Sequence, residues 1–500
     1  MAQLQNKYYR VIGDRNYSFA GYPDAKIYKE NTGTAWNQHL IFGDYIQILD
    51  LEVVNNRVRV KSRNSTGWIT ASNLQPERVL EVNFIDIGQG DGCHVVMPDD
   101  RHFLIDAGKG DNMVRYLVWR FNLYNKDTPL PFPFKVIISH SDEDHYGGFE
   151  EIFKNKCIRI SEIYHNGIVQ RPGEAQEFGE VKDGFLVGLV TNSEEMRAII
   201  ENPAKRKGTN SSYPKVLFSA LSQNPDVPFK MLSISDGFLQ NFDNNNKVND
   251  KELSLEILGP VTTVKDGKLA LPKIKDAGKT KNGHSVILKL KYGNARFLLG
   301  GDLNEEAGEL LVKHYGNTNQ IEKLKMDVAK ACHHGSHEFF YPFIKHVNAL
   351  ATVVSSGDDE AYSHPRPEAL GAFGKCGYGE RPLILSTELA RSNKDFSRGN
   401  FAKLTELLAD AAKNKEEIKA LEQLGALSPE DEEKLNKAKK ALKEGNKEIN
   451  SFLTRYGMIN VRTDGKKMIV AQKLERDAPY GKWDIHKLEY NALEGRFVLK

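Results

Sequence analysis

Residues 139–148 read Ser-His-Ser-Asp-Glu-Asp-His-Tyr-Gly-Gly and place His140, Asp142, Asp144 and His145 within six positions, directly after the apolar run Val136, Ile137 and Ile138. Imidazole and carboxylate are donors that hold divalent zinc, manganese or iron, and a loop of alternating ligands can aim successive side chains at two neighbouring ions. Two such ions could acidify a shared water and stabilise the anionic oxygens of an ester under attack, so the pattern points to hydrolysis. A His- and Asp-rich turn can equally be a solvated loop, and the weight therefore falls on its surroundings.

Stepping outward, the neighbouring runs read as strands that end in polar residues. Residues 81–87 carry Val82, Phe84 and Ile85 and lead into Gly88, Gln89, Gly90, Asp91 and Gly92. A second strand follows over 94–97, and a third over 103–108 ends in Asp106 and Gly108. Residues 285–290 and 296–299 flank the turn Tyr292, Gly293 and Asn294, and the second run ends in Gly300, Gly301 and Asp302. Residues 326–332 lead into His333, His334, Gly335 and Ser336, while 351–355 lead past a polar loop to His364 and Pro365. Alternating or bunched apolar residues bounded by Gly, Asn and Asp are strand signals, and these strand ends deliver ligand-type residues to one rim.

This ordered set resembles the metallo-β-lactamase fold, an αββα sandwich of the α/β class. Within it, the set is similar to the soluble hydrolase domain of ComEC-type DNA-uptake proteins. The matching residues are Phe84 to Asp91, Leu104 to Gly108, His140 to Gly148, Gly301-Asp302, His333 to Ser336 and His364-Pro365, spread over about residues 80–390. Asp142 marks the branch, since most of the wider superfamily carries histidine there. An oxygen donor hardens the site and favours manganese, or mixed manganese and zinc, over zinc alone.

The resemblance implies two divalent ions, zinc or manganese. His140 and Asp142 would hold one, Asp144 and His145 the other, and Asp302 would bridge them. His364 and one histidine of the His333–His334 pair complete the set; His333 is preferred, although strand register decides this and cannot be read from sequence. Asp144, Asp302 and His334 are the residues assigned to catalysis, with His334, Lys330 and His337 near enough in sequence to offer charge or a proton to the leaving oxygen. Ser336, Lys330, Gln89 and Asp91 are assigned to substrate. Ser336 lacks a base or a Gly-x-Ser-x-Gly elbow and so is not read as a nucleophile. Asp106 is expected to anchor loops by accepting from backbone amides.

Five hundred residues, 40% hydrophobic and 27% charged, fit a globular protein of roughly two to four domains. With 69 basic and 67 acidic side chains the net charge is +2, which argues against a strongly cationic nucleic-acid coat and leaves any such affinity local. Lys205, Arg206 and Lys207 form one local basic cluster. Cys93, Cys157, Cys332 and Cys376 are far apart without a Cys-x-x-Cys pair, as in a reducing compartment. The first seven residues lack the apolar core of a signal peptide and no run approaches the ~18 residues that span a bilayer, so the expectation is a cytoplasmic protein without a membrane partner.

Residues 1–78 are similar to bacterial SH3-like barrels, with strand patterns over 44–49, 57–61 and 67–70; such a module either binds a partner or docks on its own chain. Residues 79–400 are assigned to the hydrolase. Between 168 and 251 the chain is polar and rich in Gly, Pro and Asn, an insertion expected to rise beside the site. Residues 401–455 read as an αα hairpin, with helical apolar spacing, a stop at Gly425 and a start at Ser428-Pro429; it is either a dimerisation or partner arm or a local helical pair. Residues 456–500 contribute a β-hairpin about Asp464-Gly465 expected to extend the second sheet. The function these observations favour is a metal-dependent phosphodiesterase, a nuclease acting on DNA. The alternatives are hydrolysis of a small cyclic nucleotide or other ester, and a regulatory subunit that senses a ligand.

Overall fold

The computed structural model describes residues 2–123, 126, 128–206, 212–357, 363–387, 400–424, 428–452, 458–478 and 481–500. The protein is a mixed α/β structure with several sheets. One sheet orders Phe229–Met231, Ile160–His165, Phe134–Ile137, His102–Ala107, Gly92–Val96, Leu80–Phe84, Ile459–Thr463, Lys467–Ala478, Gly481–Asn491 and Arg496–Leu499. A second orders Lys247–Val248, Lys251–Gly259, Ile287–Tyr292, Ala295–Gly300, Val328–Lys330, Ala351–Val354 and Leu383–Ser386.

Side-chain alternation sorts these strands into layers. Phe103 and Ile105 join Val82, Phe84, Leu255, Leu288, Phe297 and Val353 in one buried cluster between the sheets. The intervening Leu104 faces the other way, against the helices Asn112–Arg120, Phe149–Lys154 and Tyr213–Ala220. Leu298 and Ala329 on the second sheet meet the helices Glu305–Asn317 and Tyr341–Val347 on its outer side. Helices on both outsides leave the strand ends as the place where polar loops gather.

Two expectations need correction. Most N-terminal strands form one antiparallel sheet, from Leu74–Gln75 through Arg15–Ala20, Tyr45–Ile48, Arg57–Ser62, Ser65–Thr70 and Asp24–Tyr28 to Trp36–Ile41, while Ala2–Gln3 pairs apart from it with Glu52–Val53, and the path does not close into a barrel. Its last strand is instead covered by Gly481–Asn491, where the Lys482 amide donates to His39 Nδ1 at 3.0 Å and the Trp483 indole to the His39 carbonyl at 3.3 Å. Secondly, the C-terminal strands extend the first sheet and not the second, because Ile459–Thr463 pairs with Leu80–Phe84. The segment 168–251, read as an insertion, contributes Ser193–Ile200, Tyr213–Ala220 and the edge strand Phe229–Met231, with Tyr213, Val216 and Leu217 buried under the first sheet.

The helices Asn400–Glu422 and Pro429–Phe452 pack on each other and reach Trp119 through Leu404, Leu407 and Ile449. Ser428 starts the second, its hydroxyl accepting from the Asp431 amide at 3.2 Å. Gly425 lies outside the described residues. Among the described residues no helix is long and apolar enough to cross a membrane.

Candidate metal centre

The site is built where strands stop. Phe134–Ile137 runs into the His140 loop, His102–Ala107 ends at Asp106, Ala295–Gly300 ends before Asp302, and Val328–Lys330 precedes the two histidines. The loop after Leu80–Phe84 is drawn across the top, where the Ser355 hydroxyl donates to the Gly90 carbonyl at 2.9 Å. Gly90 holds a φ of +103°, and a side chain there would overlap the Asp144 carbonyl oxygen, so only glycine allows the two loops to meet.

Asp91, His145, Asp302 and His334 are buried and present donor atoms that all lie within 4.8 Å of one another, a group able to hold a metal ion. His145 Nε2 stands 3.3 Å from Asp302 Oδ1, and His334 Nε2 stands 3.3 Å from Asp302 Oδ2. Asp144 lies at the margin, 3.7 Å from His334 Nε2 and 4.0 Å from His145 Nε2. Both inner imidazoles are oriented from behind. His145 Nδ1 donates to Asp106 at 2.8 Å, and His334 Nδ1 donates to the Ser355 carbonyl at 3.1 Å. A proton fixed on Nδ1 leaves Nε2 to face the cluster, the arrangement a ligating histidine requires.

Asp106 is committed to this orienting role: the Ser139 amide and hydroxyl also donate to it, at 2.8 and 2.7 Å. His140 is fully buried beside the hydroxyls of Ser139 and Ser285, with Nε2 3.6 Å from Asp142. Asp142 is partly exposed and paired with the Lys281 ammonium, a residue the sequence reading passed over because nothing in Lys279-Thr280-Lys281 marks a motif.

His333 and His334 have left-handed backbones, with φ of 49° and 52°, which turns their rings to different sides. His334 therefore belongs to the inner group, while His333 approaches Asp302 at 3.8 Å and stacks its edge on His364 at 5.7 Å. Asp91, read as a substrate contact, pairs with Lys330 and lies 3.1 Å from His334 Nδ1. Lys330 is thus aimed inward at Asp91. Ser336 accepts from the Glu338 amide at 3.2 Å within its own turn, Gln89 sits on the loop packed against Gly357, and His337 is exposed. The basic cluster is partly occupied, since Lys205 pairs with Glu174 at 2.7 Å and Arg206 stacks on Phe218 at 3.7 Å; Lys207 lies outside the described residues.

Electrostatics agree with the geometry. Burial acts against charge throughout, yet Asp302, Asp106 and Asp144 raise the pKa of His145 well above its usual value, and Asp302 and Asp91 raise His334 to about 10. Conversely, although burial would raise Asp91, Lys330 and His334 bring it down to about 2. Both sets of shifts have the same cause, carboxylates crowded against imidazoles, and that crowding favours a cation among them. Nε2 of His140, His145 and His334 and Oδ1 of Asp302 are buried without a hydrogen bond among the described residues. Such atoms are ordinarily matched, at a cost of about 1–3 kcal/mol each when they are not. All four are Lewis bases converging on one space, so the donor set fits a divalent cation.

No family model matches the chain. It is similar to ComE operon protein 3 of Bacillus subtilis (strain 168), at 24% identity over 305 residues that cover 58% of this chain and 30% of that protein. The chain thus spans less than a third of the relative's length.

Proposed function

We propose that this protein is a metal-dependent phosphodiesterase of metallo-β-lactamase-like fold that cleaves DNA. The observation that carries the reading is the convergence of Asp91, His145, Asp302 and His334, with their donor atoms within 4.8 Å of one another. The layering of two packed sheets between helices, with these residues at strand ends, supports the fold assignment, as does the similarity to ComE operon protein 3. That similarity, with the resemblance to ComEC-type DNA-uptake proteins, is also the support for DNA as substrate. A separate small core under the N-terminal sheet supports treating residues 1–78 as a module, 79–400 with 456–500 as the hydrolase and 401–455 as an insertion.

Two zinc or manganese ions are proposed, one in the inner group with Asp144 at its margin and one held by His140 and Asp142, with His333 and His364 on the outer side. Bound there, divalent cations would supply Lewis-acid polarisation of a phosphodiester and of the attacking water. The chain's own residues prepare that chemistry. Asp106 and the Ser355 carbonyl keep the Nε2 atoms of His145 and His334 turned inward. Lys330 offsets the charge of Asp91, and Asp302 spans the two histidines.

The test is the full-length protein reconstituted with manganese or zinc and offered DNA, a cyclic dinucleotide and a small chromogenic phosphodiester. Metal-dependent DNA cleavage that falls steeply with salt, as expected when phosphate contacts displace counterions, is the expected result. Consumption of the dinucleotide with DNA left intact would replace this reading by small-nucleotide hydrolysis. No turnover and negligible bound metal would leave the ligand-sensing alternative.

A further inference from the structure

At the opposite ends of the same strands lies a second polar cluster, unrelated to the metal centre. His102–Ala107 begins beside it and reaches Asp106 four residues later, about 13 Å along the strand. A cavity of about 460 Å³ opens here, bounded by Arg63, Arg78, Glu81, His102 and Arg120. It adjoins one of about 130 Å³ that shares Asp44, Arg63, Trp119 and Arg120 and is closed by Arg462, Lys473 and Lys482. The walls come from the N-terminal sheet, the helix Asn112–Arg120 and the C-terminal strands.

Positive charge is in excess. Glu81 is shared among Arg120 at 2.6 Å, Arg78 at 3.3 Å and Arg462 at 3.3 Å. Asp44 stands 3.7 Å from Arg462, and Asp100 pairs with Arg78 at 2.9 Å. Among the described residues, four guanidinium groups therefore meet three carboxylates. His102 adds no charge, since burial and Arg78 lower its pKa to about 3.

Two arginines keep N–H donors in a state that points to a ligand. Arg462 is 1% exposed, and although its Nη1 stands 3.3 Å from Glu81, neither Nε nor Nη1 makes a hydrogen bond among the described residues. Arg63 projects into the cavity with its guanidinium 4.5 Å over the Trp119 ring, and no described carboxylate pairs with it. Burial and the neighbouring Arg120 lower its pKa, the response of a cation held against others of its kind. Unfilled N–H donors on planar forks match the oxygens of a phosphate, which guanidinium binds in a bidentate manner.

We propose that the smaller cavity, lined by Arg63, Arg120 and Arg462, binds a phosphate group. The adjoining cavity of about 460 Å³ leaves room for the rest of a small phosphorylated molecule such as a nucleotide, and free phosphate presents the same oxygens. The site would couple the N-terminal sheet to the strands that carry the metal centre, because its walls belong to both.

Calorimetric titration of the full-length protein with inorganic phosphate and, separately, with adenosine monophosphate tests this. At least one probe should bind saturably. Arg63→Ala should weaken that binding about tenfold, Arg63→Lys should weaken it less, and Asp302→Ala should leave it unchanged. Tighter binding of the nucleotide would identify the ligand as an ester, and equal binding would identify phosphate itself; either supports the site. Melting curves of both Arg63 variants, compared with wild type, verify that the fold is kept. The proposal is overturned if neither probe saturates, if both Arg63 variants bind as wild type, or if binding is lost in Asp302→Ala.

Discussion

The strand His102–Ala107 has an arginine cluster at its start and a carboxylate and imidazole cluster at its end. Both clusters are buried and both mix charges of either sign. They differ in which atoms are left without partners. Around Asp302 these are imidazole nitrogens and a carboxylate oxygen, whereas around Glu81 they are chiefly guanidinium N–H groups, with Nε2 of His102 beside them. A Lewis base without a partner favours a cation, and an N–H without one favours an anion. The chemistry of the unmatched atoms therefore distinguishes the two ends, since both clusters contain acidic and basic side chains.

The largest expected effect falls on the metal end. Asp302→Ala removes the carboxylate that lies 3.3 Å from both inner histidines. Bound transition metal, measured by elemental analysis, should drop from about two equivalents, and phosphodiester hydrolysis should fall at least about a thousandfold, beyond the ten- to hundredfold of a residue that only orients a ligand. Undiminished metal content would break the comparison outright.

At the other end, Glu81 tests stability. Burial alone would raise its pKa, but Arg120, Arg462 and Arg78 bring it down to about 2 from 4.5. A pKa lowered on folding contributes stability that is complete above pH 4.5 and is lost as pH falls toward 2. The shift corresponds to about 3 kcal/mol at neutral pH. Glu81→Gln should lose about that amount in denaturant unfolding and should show a flatter decline between pH 4.5 and 2 than wild type. Parallel acid profiles would mean that Glu81 is not held by the arginines.

The smallest effect sharpens the picture. Asp106→Asn keeps the volume but weakens the bond that orients His145, so metal affinity should fall about ten- to hundredfold with the melting temperature nearly unchanged. An equal loss of affinity and stability would recast Asp106 as a general structural residue.

Much of the centre was legible because its residues sit next to strands with clear apolar patterns. His140, Asp144, His145, Asp302, His334 and His364 could be marked for that reason, and the structure gathers them at one rim. The helix Ser193–Ile200 was readable too, but missed: Asn192 accepts from the Glu195 amide at 3.1 Å, a capping signal hidden within a polar segment. Lys281 on Asp142 had no local sign at all, because the pair is 139 residues apart in the chain.

The sequence by itself determined which residues could act as ligands and which runs become strands, because imidazole, carboxylate and apolar alternation are local properties. Tertiary structure alone decided that His334 joins the buried inner group while His333 stays at its partly exposed edge, both near Asp302, at 3.3 and 3.8 Å. It also decided that Lys330 meets Asp91 and that Ile459–Thr463 lies beside Leu80–Phe84. Pairings across hundreds of residues depend on which surfaces the layers bury together, and no short stretch of chain contains that information.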